Sequence, residues 1–197
     1  MGKAENIYLS ATAFYHVSMH TIDHLFDVTD SSQSIQQQEI IDKCAALLFE
    51  AEEESPELEK NLASLQVSQY AELSEMVIPF IVNTSFACEL FIKSILTYLN
   101  IKYPTRGNDG HNLTILFPLL PPEMQNTIIS SVAHSYFGNF QDELKNIQLA
   151  FDGLRYWFEK HPQHVSLLFL NAFCDSLYEQ ATQSLAVTNT DPQKNQS

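Results

Sequence analysis

The residues from Val77 to Leu99 are apolar around most of a helical circumference. A helix with a single apolar stripe can lie on a protein surface, whereas one that is apolar nearly all round has to be enclosed by other elements. The stretch therefore predicts the central helix of a bundle, bent or started at Pro79, since proline removes a helical N–H and crowds the preceding turn. Enclosing it takes material. Apolar residues make up 45% of the 197-residue chain, enough for a sizeable core in one ordinary domain. Only 5 Gly and 8 Pro are present, so long stretches run without turn residues, the texture of long helices joined by few loops.

The partners of that helix follow from apolar periodicity. Ile7, Ala11, Phe14, Tyr15, Ser18, Ile22, Leu25 and Phe26 recur every three or four positions and predict a helix over 5–26. Ile40, Ile41, Ala45, Leu47 and Leu48 give a second over 35–54, ended by Ser55-Pro56 beside the acidic run Glu50, Glu52, Glu53 and Glu54. Pro56 suits the first turn of a further helix carrying Leu58, Leu62 and Leu65. Residues 100–111, with Pro104, Gly107 and Gly110, read as the longest clear loop, followed by a short helix through Leu113, Leu116, Phe117 and Leu120 that Pro121-Pro122 stops. Helices are expected over 122–134 and 140–159, the second with Leu144, Ile147, Phe151, Leu154 and Phe158 as its stripe. His161-Pro162 interrupts, and a last helix carries Val165 through Leu185. The polar tail 187–197 reads as disordered. With no alternating strand pattern, repeat or sustained heptad, the expectation is an all-α bundle of about six or seven helices in one domain, residues 1–186.

Composition also excludes functions. The net charge of −14 repels polyanions, so nucleic acid has to be met at a locally basic site. No uninterrupted apolar run reaches the length of a bilayer span, and Met1 to Asn6 are followed by no signal-peptide apolar segment, so the reading is a cytoplasmic protein without a membrane partner. Cys44, Cys88 and Cys174 lie far apart in apolar helical surroundings and read as buried free thiols. There is no Gly-rich phosphate loop, no Gly-x-Ser-x-Gly elbow and no zinc spacing, which disfavours the conventional enzyme classes and implies no cofactor.

Two segments carry a family likeness. Residues 83–96 include Ala87, Glu89, Leu90 and Lys93 in the order Ala-x-Glu-Leu-x-x-Lys, followed after a loop by Gly110-His111-Asn112-Leu113 and a short Leu-rich helix. Further on stands Phe151-Asp152-Gly153-Leu154-Arg155-Tyr156-Trp157-Phe158-Glu159. Over residues 76–185 this order resembles the HEPN family (higher eukaryotes and prokaryotes nucleotide-binding), with residues 1–75 as N-terminal helices outside the likeness. The resemblance implies a helical, homodimeric protein of the defence or toxin-antitoxin type, with RNA or an antitoxin as partner.

Ribonucleases of that family resemble one another in an Arg, a polar residue, and a His four to six residues on, supplied by both copies at a dimer interface. Arg155 and His161 answer to this pattern as a catalytic pair, and Arg155 with Tyr156 as a phosphate or ligand contact. The chemistry is sound without metal: a guanidinium forks onto phosphate, and an imidazole that titrates near neutrality can take the proton of a 2′-hydroxyl. A structural reading stands beside it, with Arg155 bracing the bundle through Glu159 and His161 as a turn residue. In that reading the chain is a non-catalytic dimerisation or interaction module that binds a nucleotide or RNA phosphate. Glu89 and Lys93, four apart, read as a helix-surface ion pair, and His111 or Asn112 as a helix cap. His16, His20 and His24 recur every fourth residue opposite the apolar stripe of the first helix, which predicts an exposed row and makes them weak candidates for a transition metal.

Overall fold

The computed structural model of the protein describes residues 2–27, 67–148 and 165–186, and among them the fold is all-α with no strand. The helices expected over 35–54 and from Pro56, and the tail 187–197, lie outside the described residues. Helix α1 spans Lys3–Asp27, α2 Val67–Tyr98, α3 Leu113–Leu116, α4 Pro122–Ser135, α5 Phe140–Asn146 and α6 Leu167–Ala186. Short 3-10 segments flank α3 at Asn108–Gly110 and Phe117–Leu119.

The apolar stretch is indeed the central helix. α2 packs most extensively against α1 and then against α6, while α4 packs on α6. Phe80, Ile81, Ala87, Cys88, Phe91, Ile92, Ile95 and Leu96 are all buried and cover about half of the circumference of α2, while Val82, Asn83, Phe86 and Leu90 on the other half are partly buried. Pro79–Tyr98 has the length and mean hydropathy, 1.3, of a membrane span, but 72% of that window is buried inside the bundle. Pro79 neither starts nor ends α2: it sits inside the helix on an exposed face. Its missing N–H and the crowding of its ring cost about 3 kcal/mol, which the burial of α2 offsets, since each large core side chain contributes about 1.5–3 kcal/mol.

Helix ends follow local chemistry. α2 closes with Asn100 in the left-handed region, φ 56°, while the Ile101 N–H donates to the Leu96 carbonyl at 2.8 Å and the Asn100 N–H to that of Thr97 at 3.2 Å. Asparagine tolerates this conformation, and the paired bonds satisfy carbonyls the helix leaves orphaned. Asn112, not His111, caps α3, accepting from the Thr114 N–H at 2.8 Å. Asn139 caps α5 by accepting from the N–H groups of Gln141 and Asp142. α5 stops at Asn146, well short of 159, and the Gln148 carbonyl beyond it accepts from the Leu113 N–H at 3.0 Å. A tertiary hydrogen bond thus uses the turn in which the periodic stripe is cut. Two aromatic groups fill the core: Phe117, Phe140, Phe169 and Phe173 with ring centres 5.2–5.7 Å apart, and Phe91 beneath Tyr8, Tyr15 and Tyr178.

Candidate functional site

Three residues singled out in the sequence meet at one place. Glu89 lies on the middle of α2, only 2% exposed. One turn on, Lys93 donates from Nζ to Glu89 Oε1 at 2.6 Å, with its side chain 11% exposed. The loop after α2 returns His111 to the same carboxylate, with Nδ1 at 3.1 Å from Oε1 and 3.2 Å from Oε2. His111 is 37% exposed and forms the outer edge of the cluster. The pair expected on the helix surface is therefore interior, which changes its energetics: an exposed ion pair contributes a few tenths of a kcal/mol, whereas a buried carboxylate left without its partners costs several.

What brings His111 there is the folding of the loop. Gly107 takes φ +66°, which glycine adopts without penalty, and starts the 3-10 turn in which the Gly110 and His111 N–H groups donate to the carbonyls of Gly107 and Asn108. Gly110 is buried against the backbone of Pro104 and Thr105, where a Cβ would stand 3.0 Å from the Thr105 carbonyl carbon. Tyr103 ties the other limb of the loop to α2 through a 2.8 Å hydrogen bond with Thr97. The arrangement clamps α2 to the α3 side of the bundle through a charged, hydrogen-bonded pin. Chemically it holds one carboxylate between two nitrogen donors, with an imidazole at the solvent edge.

A second polar cluster escaped the sequence reading. The Tyr15 hydroxyl on α1 donates to Asp175 Oδ1 on α6 at 2.9 Å, and Asn171 Nδ2 donates to Asp175 Oδ2 at 3.2 Å. Tyr8 and Thr182 repeat the link between the same two helices at 2.9 Å. Tyr178 stacks on Tyr15 with ring centres 4.7 Å apart. Burial holds the Asp175 carboxyl above its usual range, Tyr15 pulls it back down by hydrogen bonding, and Glu179 pushes it up. Burial and then Asp175 push the Tyr15 hydroxyl well above the phenolic range. Asn171 Oδ1 is buried with no hydrogen-bond partner among the described residues. The signal was present as Asn171 and Asp175, one turn apart on an otherwise apolar helix, but only contact with α1 gives it meaning.

The remaining candidates are placed as follows. Arg155, Tyr156 and His161 lie outside the described residues, as does Cys44. His16 and His20 are exposed on α1, as the helical wheel predicts, while the side chain of His24 is outside the description. Among the described residues no group of three His, Cys, Asp or Glu side chains is gathered to hold a metal ion. Cys88 and Cys174 are buried free thiols. Burial, and then the neighbouring Cys88, push the Cys174 thiol up, away from the reactive thiolate. No family model, curated protein or solved structure matches this chain.

Proposed function

We propose that this chain is a HEPN-like helical protein of the defence or toxin-antitoxin type that acts as a cytoplasmic homodimer and cleaves RNA without a metal, through Arg155 and His161. The observation that carries the reading is the Glu89–Lys93–His111 cluster: residues 22 apart in sequence, on which the family likeness rests, share one carboxylate. The all-α bundle around the apolar α2 supports the same reading. In it, Arg155 with Tyr156 grips the phosphate and stabilises transition-state charge, and His161 takes the 2′-hydroxyl proton. Incubating the purified protein with RNA in EDTA, beside Arg155→Ala and His161→Ala, tests it. Loss of cleavage in either variant by a factor of about 100 or more is expected, the usual scale for removing a general base. Cleavage untouched by both substitutions refutes the assignment.

A non-catalytic interaction module is the second reading, and one observation favours it. Phe137, between α4 and α5, is 96% exposed, an aromatic residue of a type enriched at protein interfaces. On this reading wild-type protein leaves RNA intact, and Phe137→Ser reduces self-association measured by sedimentation.

A further inference from the structure

Charge in this acidic chain is unevenly distributed. Residues 94–122 carry Lys102 and Arg106 against Asp109 alone, one positive charge net, so that with −14 overall the other residues sum to −15. The nearest preceding acid, Glu89, is buried and already held between Lys93 and His111, so it projects little negative field outward. Lys102 and Arg106 are both exposed on the loop after α2. Gly110 lies against the Thr105 backbone, so Arg106 and His111, the residues that follow each, belong to one tightly folded loop. The loop is also fixed at three points: the left-handed end of α2 at Asn100, the Tyr103–Thr97 hydrogen bond, and the 3-10 turn at Gly107.

We infer that this loop, through Lys102, Arg106 and the edge of His111, is the surface on which the protein holds the phosphodiester backbone of single-stranded RNA. The inference rests on the RNA-directed reading above and adds where the strand is held. A strand approaching a molecule of strongly negative charge is steered to locally cationic surface such as this loop, within a screening length of about 8–10 Å. A loop whose backbone is already ordered loses less freedom on binding than a flexible one. Arg106 suits a phosphate by its forked donors and Lys102 as a point charge.

The test uses a fluorescein-labelled, single-stranded 2′-O-methyl RNA, which has no 2′-hydroxyl to cleave, so that binding is read apart from catalysis. Fluorescence anisotropy across a salt series should show wild-type protein binding, with K102E/R106E at least about tenfold weaker. Two lost phosphate contacts should flatten the plot of log affinity against log salt by about 1.4. K102R/R106K, which keeps both charges, should lose much less affinity than K102E/R106E, and D109N should bind more tightly. Circular dichroism checks that each variant is folded. Wild-type binding that K102E/R106E leaves unchanged overturns the patch and spares the RNA reading. Absence of wild-type binding also overturns the patch; cleavage of natural RNA in EDTA then decides separately whether the RNA reading stands.

Discussion

Glu89 illustrates how far one residue's role depends on its surroundings. Its spacing to Lys93 is legible in the sequence, but on a surface that pair is nearly neutral to stability, and only burial turns it into a structural pin. Lys93 lies closer to the carboxylate and is more buried than His111. Lys93→Met should therefore destabilise by about 3 kcal/mol, the scale of stranding a buried charge, and His111→Ala by less. Urea unfolding of both variants checks the order, and a larger loss for His111→Ala contradicts it. Asp175 gives a pH prediction. Its folded carboxyl is raised, chiefly by burial, so the folded state keeps a proton at pH values where the unfolded chain, near 3.8, has lost it. Stability from this group is thus full below the unfolded value and falls as pH rises through the folded one. Asp175→Asn removes that fall. Its stability relative to wild type should improve between pH 3.5 and pH 7 in urea titrations, and a gap that does not change with pH rules the effect out.

At the scale of elements, the sequence was most informative where local chemistry alone decides the boundary. The starts of α4 at Pro122 and of α6 two residues after Val165, and the break after Leu120, follow from proline and apolar periodicity. The long α2 and the short α5 did not. α2 runs through Pro79 because enclosure by α1 and α6 outweighs one missing hydrogen bond. α5 stops at Asn146 although the apolar stripe continues, and in the turn that follows it the Gln148 carbonyl accepts from the Leu113 N–H of α3. Among the described connections, the α2–α3 loop is the one that delivers His111 to Glu89. Gly110→Ala places a methyl 3.0 Å from the Thr105 carbonyl carbon, with backbone rather than a flexible side chain in the way. The variant should lose about 1–3 kcal/mol, and amide hydrogen exchange should quicken in residues 101–112 more than in α6. Equal protection in both segments speaks against a loop-local effect.

For the whole molecule, the three helices α1, α2 and α6 enclose one core, and Cys88 on α2 and Cys174 on α6 are both fully buried within it. In a Cys44→Ser background, their thiols should react with Ellman's reagent only as fast as the bundle opens, and the rate should rise in step with global unfolding as urea is added. Rapid labelling of either thiol in native buffer shows that the core opens locally. The sequence by itself determined the all-α class, the central place of α2, the exposed row of His16 and His20 and the buried thiols, because apolar periodicity fixes which face of a helix leaves water. The same local signals cannot report contacts between positions distant in the chain. That Glu89 is interior, that His111 reaches it across 22 residues, and that Tyr15 meets Asp175 across 160 were decided only by tertiary packing, which alone sets the burial and neighbours on which charge and hydrogen bonding depend.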